Sequence, residues 1–443
     1  MKYALIVLVL ATTFPARFAS PQINWTKHTI SDNFGGACSV HAQDINNDGL
    51  LDVIGAGWDI NSIALWINNG GVPVFWTEQM IDTLFYGVSF VYAADIDGDE
   101  DTDVLASAWH GSELAWWENG GGNPIQWTKH SICAGFYNAH EITAADMDND
   151  GDIDVLGAAA LTDEIAWFKN DGLNPPGWTQ HTISDSFDGA RSLKATDIDG
   201  DGLLDVVGAA LLANAVTWWH NNGDSTWTEY TLDSNFGMSH MVYSFDFDTD
   251  GDSDIVAVAY TSNDVAWWRN DGGSPVQFTK QTIDGSLLGA LGVFAADIND
   301  DGNLDVLGTA DITDDVVWYS NSGGSLISWT KQMIDGNCNG AWPVYAADLD
   351  NDGDIDALAA ANASDAIYWY ENGLIGISDN DGVWVGLNRL GATIIRGPIV
   401  LPRGTDFSIL DISGRKVAHD EIGPGIYFIQ NGGVICQKIV KIQ

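Results

Sequence analysis

The sequence predicts an all-β protein: a seven-bladed β-propeller with four-stranded blades, followed by a small C-terminal β-sandwich. Three observations predict the propeller; the sandwich is implied by a resemblance described below. A nine-residue acidic loop recurs seven times, and its first Asp returns after 51, 51, 51, 49, 51 and 51 residues. Each period holds four short strand-like runs, and aromatic residues keep fixed offsets from each loop. Self-similarity at a period near 50 residues marks one supersecondary unit repeated as an array, and four strands per unit suit a propeller blade.

Each unit starts with a short strand of alternating polar and apolar residues. These are WTKHTI from Trp25, WTEQMI from Trp76, WTKHSI from Trp127, WTQHTI from Trp178, WTEYTL from Trp227, FTKQTI from Phe278 and WTKQMI from Trp329. Period-two alternation marks a half-buried strand. A glycine-rich connection leads to a run that enters the loop, as Val91–Ile96 does. Beyond the loop, runs such as Asp103–Ala108 are short and apolar, as in a strand covered on both faces, and a fourth strand such as Leu114–Asn119 ends at Asn and Gly.

Tryptophan stands 21 or 22 residues beyond each first Asp, from Trp66 and Trp116 round to Trp369, and Phe34, Phe85, Phe136, Phe187 and Phe236 form a second column. Both columns are read as packing between blades rather than as ligand platforms. No strand equivalent to Trp25–Ile30 follows Ile367–Asn372. The first strand is therefore expected to complete the seventh blade and close the ring.

The loops run from DINNDGLLD at Asp44 to DLDNDGDID at Asp348. Oxygens at loop positions 1, 3, 5 and 9, with the main-chain carbonyl of position 7, suit one hard cation. Calcium takes six to eight oxygens at about 2.3–2.6 Å and tolerates irregular geometry. The expected ligand sets are Asp44, Asn46, Asp48, Leu50 and Asp52; Asp95, Asp97, Asp99, Asp101 and Asp103; and Asp146, Asp148, Asp150, Asp152 and Asp154. The next two are Asp197, Asp199, Asp201, Leu203 and Asp205, then Asp246, Asp248, Asp250, Asp252 and Asp254. Asp297, Asn299, Asp301, Asn303 and Asp305 form the sixth, and Asp348, Asp350, Asp352, Asp354 and Asp356 the seventh. Position 6 is Gly in six loops, as positive φ requires, whereas Glu100 in the second loop predicts a strained or weaker site. The opening resembles an EF-hand, but the Glu at position 12 and the flanking helices are missing.

The formal charge is -45, and the seven loops hold 32 of the 62 acidic residues. Acidity is thus concentrated at candidate metal sites. Such a chain repels nucleic acid and anionic membrane, and no basic patch offsets it. Met1, Lys2, the apolar run Ala4–Ala11 and small residues near Ala16–Ser20 have the layout of a secretory signal peptide, assigned to residues 1–20. No other run approaches membrane length, so a secreted or surface-displayed, monomeric module is expected. The four cysteines are too few for a disulfide framework. Cys38 and Cys338, in corresponding connections of the first and seventh repeats, are candidates for a closing disulfide.

Residues 22–373 resemble the FG-GAP/VCBS family, whose propeller also occurs in integrin α subunits. The resemblance rests on the calcium motif, on Phe34-Gly35 and Phe236-Gly237, and on Gly36-Ala37, Gly189-Ala190 and Gly340-Ala341. It implies loops between the first and second strands of every blade, gathered on one face. After a linker at 374–382 the balance changes: residues 383–443 carry seven basic and four acidic residues. There Phe407–Val417, Gly425–Gln430 and Lys438–Ile442 resemble the C-terminal sorting domain of the type IX secretion system. That resemblance implies a small β-sandwich and passage across an outer membrane.

The face opposite the loops is where the repeats differ. Six residues before each first Asp stand Cys38, Ser89, His140, Arg191, His240, Leu291 and Trp342. Turns after the second strands supply Trp58, Trp109, His110, Leu161, Leu211, Tyr260, Asp311 and Asn362. His140, Arg191 and His240 come from consecutive units and are expected at one sector of the channel mouth. Trp58, Trp109 and Tyr260 are candidate stacking groups for sugars. The predicted ligand-binding set is Trp58, Trp109, His110, His140, Arg191, His240, Tyr260 and Trp342. No nucleophile motif or metal-hydrolase spacing is present, and no acid outside the loops shows a distinctive pairing. A non-catalytic binding module for glycans or a protein partner is therefore preferred to a polysaccharide lyase or hydrolase.

Overall fold

The computed structural model describes residues 23–324 and 326–373, and beyond them the backbone of five strands between 392 and 441. Seven four-stranded antiparallel sheets follow one another, and their inner strands pack in a closed cycle. The first blade runs outward through Ala37–Gln43, Asp52–Gly57, Ser62–Asn68 and Trp76–Asp82. The seventh runs through Ala341–Ala347, Asp356–Ala361 and Ala366–Asn372, and then takes Trp25–Ser31 as its outer strand. Trp25 pairs with Asn372 and His28 with Trp369, while Gly373 N–H donates to the Asn24 carbonyl at 3.0 Å. The ring closes as the strand count predicts.

Burial follows the order of the strands. Every residue of the second strands is buried, whereas the outer strands are mostly half-buried or exposed. The expected aromatic columns are core. Phe34, Phe85, Phe187 and Phe236 meet Trp66, Trp117, Trp219 and Trp268 edge to face at 4.7–5.1 Å. Outer-strand rings also cover the Trp column: His28 stacks on Trp369, His130 on Trp116 and His181 on Trp167 at 4.4–4.6 Å.

Cys338 and Cys38 are both buried free thiols. Cys338 takes the seventh blade's place in the Phe column, packed beside Trp318 and Tyr370, whereas Cys38 lies on the first blade's inner strand. The two positions are at different depths in their blades, so the closing disulfide does not form.

The five C-terminal strands form one mixed sheet in the order Ala392–Ile395, Val434–Lys441, Gly425–Asn431, Phe407–Asp411, Lys416–Val417, with the first two parallel. A second layer that would make a sandwich is not among the described residues. Residues 1–20 and 374–382, expected as signal peptide and linker, also lie outside them. No helix among the described residues is long and apolar enough to cross a membrane.

Candidate functional site

The acidic loops join the inner and second strands of every blade. The first Asp organises each turn: Asp44 Oδ1 accepts Asp48 N–H at 3.1 Å and Oδ2 accepts Gly49 N–H at 2.9 Å. Position 6 has positive φ in all seven loops, between 89° and 99° at the six glycines and 74° at Glu100. Position 4 is also left-handed in every loop, including Thr249 at 60°. The final Asp is buried in each loop; Asp103 Oδ2 accepts Ile96 N–H at 2.9 Å and Oδ1 accepts Asn119 N–H at 2.8 Å. Burial raises these final acids despite such bonds, to about 6 at Asp52, Asp154 and Asp205 and to about 7 at Asp103, Asp254 and Asp305.

The donor set fits a hard cation. Oxygens of Asp95, Asp97 and Asp99, of Asp197, Asp199 and Asp201, and of Asp246, Asp248 and Asp250 gather within 4.8 Å of one another. Asp97 Oδ1, Asp246 Oδ1, Asp248 Oδ1 and Asp305 Oδ2 are buried and have no protein partner. Buried carboxylate oxygens left in this way are strongly unfavourable unless a cation meets them.

The loops are not equivalent. Lys169 reaches into the third loop, bonding Asp148 and, at 3.0 Å, Asp150. At the matching position, His220 Nδ1 lies 3.2 Å from Asp199 Oδ2 in the fourth loop. Blades two and seven carry Glu118 and Glu371 there instead, each bonded to an outer-strand histidine.

One column that the sequence reading took for turn residues ties the loops together. Asn68, Asn119, Asn170, Asn221, Asn270, Asn321 and Asn372 each donate their backbone N–H to the final Asp of their own blade's loop. In six of them the side-chain amide also reaches the second-residue carbonyl of a loop in the adjoining blade.

At the opposite end, every inner strand shifts register at or beside the candidate column, between Ala139 and Ile142 in the third blade and between Ala190 and Ser192 in the fourth. A β-bulge re-aims its side chain, and here it turns toward the next blade. Cys38 Sγ donates to the Ser89 carbonyl at 3.6 Å, Ser89 Oγ to that of His140 at 3.2 Å, His140 Nδ1 to that of Arg191 at 2.9 Å, and His240 Nδ1 to that of Leu291 at 3.0 Å. A carbonyl only accepts, so both imidazoles carry their proton on Nδ1 and present a lone pair on Nε2. Burial, then the Arg191 charge, holds both well below the ordinary histidine range.

Arg191 Nη2 donates to His240 Nε2 at 2.8 Å, and its guanidinium lies 5.6 Å from the Trp109 ring centre. Trp109 meets His140 edge-on at 6.0 Å, and Trp58 lies 6.4 Å from Trp109 and 4.9 Å from His110. The structure thus brings His140, Arg191, His240, Trp109, Trp58 and His110 into one patch. Trp58 and Trp109 are half-buried and His110 is exposed. Tyr86, absent from the predicted set, extends the patch: it is 60 % exposed and its ring lies 5.3 Å from His110. Tyr260 stands apart, its hydroxyl 3.4 Å from Asp311, and Trp342 packs against the core between the first two blades.

A second feature lies inside the channel. Three residues before each first Asp stand His41, Tyr92, Thr143, Lys194, Tyr243, Phe294 and Tyr345, which line a cavity of about 280 Å³. Their rings follow one another from Tyr92 to His41 at 5.0 Å, Tyr345 at 4.8 Å, Phe294 at 4.6 Å and Tyr243 at 5.1 Å. Lys194 caps Tyr243 at 4.3 Å and pairs with the buried Glu141. This pairing corrects the expectation that no acid outside the loops has a distinctive partner. Its signal was a Glu and a Lys at nearby positions of adjacent inner strands.

The FG-GAP-like repeat profile matches residues 44–106, 98–157, 146–208, 197–257 and 246–308, together more than half of the chain. No curated protein matches. Among solved structures, a virginiamycin B lyase from Staphylococcus aureus is similar with a TM-score of 0.54 at 11% identity, over 79% of this chain and 99% of that one. BBS1N in its complex with ARL6DN is similar at 0.53 and 10% identity, over 79% and 98%. Identities this low speak to the fold alone. Repeats, loops and ring agree, and the chain belongs to the FG-GAP-like repeat family.

Proposed function

We propose that this protein is a secreted or surface-displayed, calcium-stabilised binding module without catalytic activity. Its ligand-binding surface is the end of the ring opposite the acidic loops, and its ligand is a glycan. The observation that carries this reading is the continuous patch formed by Trp58, Trp109, His110 and the His140–Arg191–His240 group. Half-buried indole faces beside fixed polar groups suit sugar rings, whose C–H faces stack on aromatics while their hydroxyls take hydrogen bonds. The loop carboxylates hold calcium and brace the blades rather than contact the ligand. The C-terminal region serves export, in line with its resemblance to a sorting domain.

The test is binding of the calcium-loaded protein to a broad glycan panel. A saturable hit weakened by Trp58→Ala or Trp109→Ala is expected; a blank panel removes the glycan reading and leaves a protein partner. A lyase or hydrolase reading keeps one observation in its favour, the neutral His140, whose Nδ1 is bonded and whose Nε2 has no hydrogen-bond partner among the described residues. Turnover of a bound polysaccharide, abolished in His140→Gln, would establish that reading instead.

A further inference from the structure

We propose that Arg191 anchors a carboxylate carried by the bound glycan, so that the ligand is a uronic-acid-bearing saccharide. The proposal rests on the binding face described above and names the chemistry it selects.

The argument starts from a cation without a counter-ion. Among the described residues Arg191 makes one side-chain hydrogen bond, to the neutral His240, and its buried Nε has no partner. No carboxylate pairs with it among the described residues. The two acidic groups whose charge would favour the guanidinium are Cys38 and Glu141. Burial keeps the Cys38 thiol protonated, pushed up to about 12, and Glu141 is already committed to Lys194. Arg191 is half-buried, and a guanidinium partly withdrawn from water is favoured by an anion or a dense set of acceptors, of which this one has neither.

The surroundings specify the missing partner. A guanidinium fork offers two parallel N–H donors that match a carboxylate. Trp109 covers one face of the group at 5.6 Å, and Trp58 continues the aromatic surface. An acid group set beside a flat, weakly polar ring meets both demands at once, as in a hexuronic acid. The histidines hold the geometry: Nδ1 of each is bonded to a neighbouring blade's carbonyl, so neither ring competes as a cation.

The experiment is calorimetric titration of the full, calcium-saturated chain with a short oligogalacturonate, its methyl ester and a neutral glucan oligomer. Tight binding of the free acid is expected, with loss of about tenfold or more on esterification, as for a charge-assisted pair. Arg191→Met should remove the preference for the acid, and Arg191→Lys should restore only part of it, because an ammonium lacks the fork. Thermal melting of both variants separates loss of binding from loss of fold. Equal binding of acid and ester, or an undiminished Arg191→Met, overturns the proposal while the glycan reading stands. Failure of all three saccharides together with binding of an acidic peptide overturns both.

Discussion

The side-chain amide of Asn119 donates to the carbonyl of Ile45 at 3.0 Å, although the two residues belong to different blades. The same residue gives its backbone N–H to Asp103 Oδ1 at 2.8 Å and a second amide bond to the Thr102 carbonyl at 3.0 Å. One asparagine thereby joins the end of its own acidic loop to the start of its neighbour's. Asn119→Ala leaves two carbonyls short of a donor in a buried place. A loss of about 2–4 kcal/mol is expected by denaturant unfolding. Asn119→Asp should cost at least as much, since it removes the donor and adds charge beside Asp103; an unchanged midpoint in both variants would dismiss the clamp.

Glu100 sits at φ 74°, where the other six loops have glycine. A side chain in that region costs about 1 kcal/mol or more. Glu100 is exposed, and among the described residues only its backbone N–H is bonded, to Asp95. Glu100→Gly should therefore stabilise the protein by about 1 kcal/mol, and Gly151→Glu should destabilise it by a similar amount. Thermal melts of the two variants should move in opposite directions.

Calcium removal tests all the loops at once. Each ion bound only by the folded state at about 100 times its dissociation constant contributes roughly 2.7 kcal/mol. Excess chelator should lower Tm by many degrees, and added calcium should restore it. Lys169 offers a finer test. Its ammonium lies among Asp148 and Asp150 and competes with an incoming cation. Lys169→Gln should raise the calcium affinity of one site among seven, resolved by calorimetry, while lowering the stability of the calcium-free protein.

His41 adds a pH dependence of definite sign. It is buried between Tyr92 and Tyr345 and faces the Lys194 charge; burial and then that charge hold it at about 4 against an ordinary 6.5. Above pH 6.5 it is neutral in both folded and unfolded chains and adds no slope. Between pH 6.5 and about 4 the unfolded chain takes up a proton that the folded one refuses, so stability falls as pH falls. His41→Gln should remove one proton from the slope of unfolding free energy in that window. An identical slope in wild type and variant would show that His41 titrates normally.

Much of this was legible in the sequence because the repeat supplies its own register. Seven copies of one acidic nonapeptide, four of them strictly DxDxDGxxD and the others changed at position 3 or 6, specify loop, φ > 0 at position 6 and spacing without any long-range information. The unmatched Trp25–Ile30 strand implied closure by counting alone. The bulge column also emerged from differences between copies, although the direction in which His140 and His240 point depends on blade packing. What stayed hidden depends on two blades at once. Asn119 reads as a turn residue until Ile45 of the neighbouring blade is placed beside it. Glu141 and Lys194 differ by 53 positions, one repeat plus two residues, so their meeting appears only when inner strands stand side by side. The C-terminal sandwich is implied only by the resemblance that those strand-like runs carry, and such runs count strands but do not determine layers.

The seam of the ring also sets an order of events. A chain made from its N-terminus produces Trp25–Ser31 first, and its partner strand Ala366–Asn372 comes at the very end of the propeller. Until then the early strand has nothing to join, and the growing protein is an open arc with two raw edges. A product that stops short of the last blade cannot fasten. The clasp therefore works as a completeness check, admitting to the closed state only chains that carry all seven blades.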